Sequence, residues 1–258
     1  VGIDIGTQAV KTVLVNRDGR TAGSAVRESE LLKPGPGCVE EDPEKQFDNV
    51  CEGLREVLVA SGVAPGSVAG IGIDGQMAGI IGVGEDGRSV TPYDSWLDTR
   101  CTPYIARMRE TAGDEIVRKT GGPPSFNHGP KVMWWKHERP DAYDRIAAFV
   151  QPGAYAAMRL CGLAAVDAYI DTSYLHFSGF ADNRGSRWDP GLCETFHVDA
   201  GKLPRIVPPR TVVGEVIPEM ARRCGLEPGV PVIAGCGDTA ASFLACGSTR
   251  EGICVDVA

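Results

Sequence analysis

The stretch Val1–Gly19 reads VGIDIGTQAVKTVLVNRDG. An apolar run through Val1, Ile3 and Ile5 carries one carboxylate, Asp4, breaks at Gly6-Thr7-Gln8, and resumes through Val10, Val13, Leu14 and Val15. Apolar runs on both sides of a short polar break describe a β-hairpin with a polar tip. The tip offers backbone N–H groups, the Thr7 hydroxyl and the nearby Lys11 ammonium, a set suited to phosphate. Asp4 is a hard oxygen donor of the kind that holds hydrated Mg2+. A turn that merely reverses the chain has the same local pattern, so the decision rests with the remaining sequence.

Working outward, Arg20–Arg27 continues as a third strand, and Lys33-Pro34-Gly35-Pro36-Gly37 is a loop. Asp42-Pro43 supplies a capping carboxylate and a first-turn proline to a helix ending near Gly62. Along it Phe47, Val50, Cys51, Leu54, Val57 and Leu58 recur at helical spacing. Val68–Ile73 is apolar on both faces, as buried strands are. Hairpin, crossover helix and buried strand define an α/β protein. Helices dominate from Cys101 to Arg145, with Trp134 and Trp135 expected in the core, and Phe149-Val150 leads into a helix over Gly153–Cys161. Val230–Ala234 forms another buried strand, followed by Gly235-Cys236-Gly237-Asp238-Thr239, a helix over Ala240–Cys246 and a strand from Gly252 to Ala258.

With 258 residues, 43% hydrophobic and 23% charged, the chain can bury a sizeable core. A net charge of −8 excludes a general nucleic-acid or anionic-membrane surface. Nine cysteines lack metal-ligand spacing and read as reduced thiols in a cytoplasmic protein. Cys51, Cys161 and Cys224 are expected to pack rather than react. The dispersed histidines argue against zinc, and no stretch is long and apolar enough for a membrane helix. The initial Val1 suggests that the true start lies upstream.

Three further places carry chemistry. After the buried strand, Asp74-Gly75-Gln76-Met77-Ala78-Gly79 puts an amide where sheet proteins place ligand groups. Gln76 suits a polyol, or is simply a polar turn residue. In Tyr93-Asp94-Ser95-Trp96-Leu97-Asp98-Thr99-Arg100, Trp96 can stack on a sugar, while Asp98 and Arg100 are expected to pair structurally. Asp238, between flexible glycines and a helix, can accept a proton from an attacking hydroxyl or act as an N-cap.

Taken in order, Asp4-Ile5-Gly6-Thr7, Gly75-Gln76-Met77-x-Gly79, Trp96-x-Asp98-x-Arg100, the Lys131–Trp135 helix and Gly235-x-Gly237-Asp238 resemble the FGGY family of carbohydrate kinases, with xylulokinase-like members the nearest fit. The resemblance implies the actin-like ATPase (ribonuclease H-like) fold, a mixed sheet flanked by helices. It implies a first domain over residues 1–234 and the opening of a second, ATP-binding domain over 235–258. Implied roles are Asp238 as general base, Asp4 toward Mg2+, and Gly6, Thr7, Gln8 and Lys11 toward the ATP phosphates. Gln76, Met77, Trp96, Asp238 and Thr239 would contact the substrate. Implied cofactors are ATP and Mg2+, and the implied partner is a small sugar or polyol, most readily a ketopentose such as xylulose. A homodimer is allowed.

Ala78 stands where xylulokinases commonly carry His, and Thr239 where they commonly carry Asn, the latter also resembling deoxy-sugar ketose kinases. A non-catalytic sugar-binding or regulatory protein on the same fold is the alternative. The family's second phosphate motif would lie beyond Ala258, so the chain is expected to be a fragment, inactive alone.

Overall fold

The computed structural model describes residues 1–250 and Gly252, so all but the first residue of the strand expected over Gly252–Ala258 lies outside the described residues. The chain opens with β1 (Gly2–Ile5), β2 (Ala9–Val15) and β3 (Thr21–Glu28), an antiparallel meander. After β4 (Glu40–Glu41), Asp42 caps α1 (Pro43–Ser61) by accepting from the N–H groups of Glu44 and Lys45, and Gly62 ends the helix in the left-handed region. That helix buries Phe47, Val50, Cys51, Leu54, Val57 and Leu58 against the meander, each large aliphatic or aromatic side chain stabilising by ~2 kcal/mol. Then follow β5 (Gly72–Gly75), β6 (Ile80–Val83), β7 (Ser89–Asp94), α2 (Thr102–Thr120), α3 (His128–Glu138), α4 (Pro140–Arg145), β8 (Ala148–Val150) and α5 (Pro152–Cys161). The remainder comprises β9 (Tyr169–Asp171), β10 (Ala181–Asp182), β11 (Arg187–Trp188), α6 (Pro190–Thr195), β12 (Arg205–Val207), β13 (Val212–Glu215), α7 (Pro218–Cys224), β14 (Pro231–Ile233), β15 (Cys236–Gly237) and α8 (Asp238–Ala245).

Two sheets organise the molecule. The first runs β15-β5-β1-β2-β3 and mixes parallel with antiparallel pairing; the second runs β4-β7-β6-β8 and is antiparallel. Residues 76–79 pass directly from β5 in the first sheet to β6 in the second. A core shared by β1, β2, β5, α1, α5 and α7 underlies the first sheet, and a second apolar cluster gathers α2, α3, α4 and α6 around Met108, Met133 and Phe196. This is the mixed α/β architecture expected of the actin-like ATPase fold. Cys51, Cys161 and Cys224 are buried, as is Trp135, while Trp134 is half-buried. No helix among the described residues is long and apolar enough to cross a membrane.

One strand expectation needs correction. The strand before Asp74 begins at Gly72 rather than Val68, because Pro65–Ser67 closes a 3-10 turn in which the Val68 N–H donates to the Pro65 carbonyl. Val68 and Ile71 remain in the core, Ile71 also bridging Val232 in parallel, so burial accounts for the apolar pattern ahead of the strand proper. The strand expected at Val230–Ala234 is present as β14; it pairs antiparallel with β13 and bridges Ile71 in parallel through Val232, and the next residues, Cys236 and Gly237, align with β5. Gly235, at φ +76°, makes the step between them; a Cβ there would lie 1.7 Å from the Ile73 carbonyl oxygen.

His128, at the start of α3, lies against the rings of Tyr174 and Phe177, and its Nε2 is buried without a partner. Burial, with His176 and Lys131 adding repulsion, lowers its pKa to about 3. A base held neutral only in the folded state contributes stability that is complete above the unfolded pKa and lost as pH falls from about 6.5 toward 3. Equilibrium unfolding of His128→Gln should therefore show a shallower acid loss than the parent across that window, by up to about 1.4 kcal/mol per pH unit.

Candidate active site

Parallel pairing brings three strand ends level. Asp4 in β1 lies opposite Asp74 in β5, Asp74 lies opposite Cys236 in β15, and Gly75 lies opposite Gly237. The residues that continue from these ends, Gly6-Thr7-Gln8, Gln76-Met77 and Asp238-Thr239, therefore emerge at one edge of the sheet. Tyr174, fully buried, holds this edge together by donating to the carbonyls of Gly75 (3.2 Å) and Cys236 (3.4 Å).

On the phosphate-turn side, Lys11 Nζ donates to Asp4 Oδ2 at 3.0 Å. The two faced each other in sequence only as hairpin neighbours; the register pairs them directly. The Gly6 N–H donates to the Ala9 carbonyl, and Ser29 Oγ donates to the Gly6 carbonyl at 3.0 Å, so the turn is braced from β3 as well. Gln8 is exposed. A cavity of about 440 Å3 opens on the sheet face carrying Asp4, Lys11 and Asp74.

Asp74 is the carboxylate that sequence reasoning left as a strand terminus. Its Oδ1 is buried without a partner, and burial, reinforced by the charges of Asp4 and Asp238, pushes its pKa up to about 7. The signal was available in principle, since a lone acid at the end of an otherwise apolar strand is costly without a purpose. The donors at this edge are hard carboxylate oxygens beside a cation and a glycine turn, which fits magnesium and phosphate rather than a thiophilic metal. Among the described residues, no group of three or more His, Cys, Asp or Glu side chains is arranged to hold a metal ion by itself, so added ligands would have to come from water or a nucleotide.

Asp238 is the first residue of α8, with Gly237 in the N-cap position, so it does not cap the helix as a residue preceding it would. Its Oδ1 accepts from the Thr239 N–H at 2.6 Å, bringing that expected pair together. The approach is fixed from behind by Asp171 and Ser173, to which the sequence alone assigned no role. Asp171 Oδ1 accepts from Ser173 Oγ at 2.6 Å, and Ser173 Oγ accepts from the Gly237 N–H at 2.8 Å. Met77 packs so closely on Gly237 that a Cβ there would lie 2.5 Å from its sulfur.

The Gln76 and Trp96 side of this edge is closely packed. Gln76 is buried, its amide donating to Glu41, and Ala78 adopts a left-handed φ of 67° in the crossing to β6. Gly79 is required there, because a Cβ would sit 2.2 Å from the Tyr93 hydroxyl. Trp96 is 47% exposed, with its indole N–H donating to Thr7 Oγ1 at 2.9 Å. Asp98 and Arg100 pair as expected, and Arg100 also reaches Glu40 and Asp94, at 2.8 Å each, with its guanidinium 4.4 Å from the Trp134 ring centre. Lys131, in α3, donates to the Ser95 carbonyl at 2.8 Å and the Asp98 carbonyl at 3.2 Å, fixing the Trp96 loop from beneath.

This geometry has counterparts among known proteins. Residues 1–245 match the FGGY family of carbohydrate kinases, N-terminal domain, and the chain belongs to that family. A xylulose kinase from Bacillus subtilis is 30% identical over 256 residues, covering 98% of this chain and 50% of its own length. An autoinducer-2 kinase from Escherichia coli is 26% identical, covering 97% of this chain and 47% of its own. The structure of a xylulose kinase from Rhodospirillum rubrum superposes with a TM-score of 0.89 at 28% identity, covering 97% of this chain and 51% of the other. A gluconate kinase from Lactobacillus acidophilus superposes at 0.84 with 26% identity, covering 93% and 48%. The chain thus spans about half the length of the relatives it matches.

Replacing Arg100 with Ala would leave the buried Asp94 and Asp98 without their shared cation, and removing one partner of such a cluster costs about 3–5 kcal/mol. Denaturant unfolding of Arg100→Ala should show a loss of that order, and Arg100→Lys should recover only part of it because an ammonium cannot reach three carboxylates in one plane.

Proposed function

We propose that the protein containing this chain transfers the terminal phosphoryl group of ATP to a hydroxyl of a sugar, most readily a ketopentose such as xylulose. The observation that carries this is the level alignment of the ends of β1, β5 and β15, which gathers the phosphate turn, the acceptor amide and Asp238 at one edge.

In this reading Asp238 is the general base. Its carboxylate takes the proton of the acceptor hydroxyl as that oxygen attacks phosphorus. Its place at the positive end of α8 favours the ionised form that a base requires. Asp171 and Ser173 fix the backbone that aims it. Gln76, Met77, Trp96 and Thr239 orient the acceptor, and the Trp96 face covers its C–H side. Gly6, Thr7, Gln8 and Lys11 line the place for the phosphates, with Asp4 and its neighbour Asp74 on the side of the magnesium. When bound, Mg-ATP supplies the phosphoryl group and the charge that neutralises it. Little covalent help is needed from the protein, so alignment and exclusion of water carry most of the rate.

Residues 1–234 make the first domain in this reading and 235–258 open the second, with Cys236–Gly237 still paired to β5 where the chain leaves the sheet. The free cysteines among the described residues agree with a reducing, cytoplasmic setting. Ala78 and Thr239 offer the acceptor less polar reach than His and Asn would, so a deoxy-ketose or polyol is the second substrate class to try.

The test is ADP release by the full-length protein against a panel of ketoses and polyols. Asp238→Asn should lower kcat by at least about a hundredfold, the scale of a lost general base, with sugar binding by calorimetry retained. Wild-type turnover in that variant would remove Asp238 from the role, and sugar binding without any turnover in the parent would favour a sensor.

A further inference from the structure

A chain of four hydrogen bonds connects the phosphate turn to the interior behind the acceptor wall. The Trp96 indole N–H donates to Thr7 Oγ1 (2.9 Å), Thr7 Oγ1 donates to Gln76 Oε1 (3.1 Å), Gln76 Nε2 donates to Glu41 Oε1 (2.7 Å), and Gln46 Nε2 donates to Glu41 Oε2 (2.9 Å). Gln76 and Glu41 are 2% and 1% exposed, whereas Trp96 is 47% exposed, so the chain runs from the core into the cleft.

The donor and acceptor directions follow from the end groups. An indole N–H only donates, so Thr7 Oγ1 accepts from it and keeps its single proton for another partner. An ionised carboxylate only accepts, so Gln76 meets Glu41 through its NH2 group and turns its carbonyl toward Thr7. Burial leaves the Glu41 carboxyl above the usual carboxylate range, with the hydrogen bonds from the two amides offsetting part of the rise. Those same bonds favour the charged form. With the Thr7 proton directed at Gln76, phosphate contact by the turn falls to backbone N–H groups and Lys11.

We propose that Thr7 and Glu41 are positioning residues for the acceptor: through Gln76 and Trp96, the phosphate turn sets the shape and hydrogen-bond polarity of the surface that reads the sugar. That surface presents a carbonyl lone pair. It selects a substrate hydroxyl that can donate and disfavours a carboxylate or oxo group at the same place. The proposal rests on the phosphotransfer reading above for the identity of the ligand, but not for the network itself.

The test uses the full-length protein and two pairs of variants, Thr7→Val with Thr7→Ser, and Glu41→Leu with Glu41→Gln. The first readout needs no ligand: hydrogen exchange of the Trp96 indole N–H by NMR, assigned with Trp96→Phe. Thr7→Val should accelerate that exchange about tenfold, the scale of one lost hydrogen bond, and Thr7→Ser should not. The second readout is calorimetric binding of xylulose without nucleotide. Thr7→Val and Glu41→Leu should weaken it about tenfold. Thr7→Ser and Glu41→Gln should stay within about twofold. Glu41→Gln is rescued because its carbonyl can accept from Gln76 while its NH2 donates to Gln46 Oε1, which is buried without a partner.

A Thr7 that contacts only phosphate would leave sugar binding untouched when no nucleotide is present, so parental affinity in Thr7→Val overturns the proposal. Parental affinity in a folded Glu41→Leu removes Glu41 from it; should that variant fail to fold, the Thr7 pair decides. Absence of xylulose binding by the parent counts against the phosphotransfer reading, and the network is then judged on indole exchange, where an unchanged rate in Thr7→Val overturns it.

Discussion

Everything at the candidate site depends on the register of the β1–β5–β15 alignment. Parallel strands offset by one residue would turn Asp4, Asp74 and the approach to Asp238 to the opposite face of the sheet, because side chains alternate with a period of two. Several contacts hold that register. The Gly72 N–H donates to the Val1 carbonyl, the Gln76 N–H donates to the Ile5 carbonyl, and Tyr174 ties the far ends of β5 and β15. Ile3, Ile5 and Ile73 bury the opposite face in the core, so a slip would expose the core and bury charge together. The energetic specification of the core and the placement of the chemistry are one constraint.

Around that edge the protein uses two kinds of support. Carboxylates meant to stay structural are saturated: Asp98 accepts from Arg100 and from the Val39 N–H, and Asp94 from Arg100 and Trp135. By contrast, Asp74 keeps a buried oxygen with no partner. That orphaned oxygen sets it apart from Asp94 and Asp98, and its carboxyl is pushed up to about 7, as perturbed groups in functional clefts often are.

Much of this was legible in the sequence because it is local. The hairpin, the Asp42 cap and apolar face of α1, the Gln76 crossing and the Asp98–Arg100 pair each announce themselves within a few residues, and the order of motifs pointed to the family. What could not be read is what nonlocal pairing creates. Asp74 gains its meaning only when β5 lies between β1 and β15. Asp171 and Ser173 support Gly237 from 64 residues away or more in the chain, a contact no period or spacing predicts. Glu41 carried no reading from the sequence, and only the fold lays it under Gln76. The late start of β5 was misjudged for a related reason: an apolar run signals burial, and burial does not by itself set where strand pairing begins.

The Trp96 loop illustrates a last consequence. Arg100 joins Glu40, Asp94 and Asp98, while Lys131 is fastened to two carbonyls of the same loop, so the acceptor wall is locked to the body of the domain on several sides. Such a wall stands organised before any ligand arrives, and the ordering cost of building it is met once, during folding, rather than at each encounter. Under the proposed phosphotransfer reading, a sugar would meet this wall as a surface already formed.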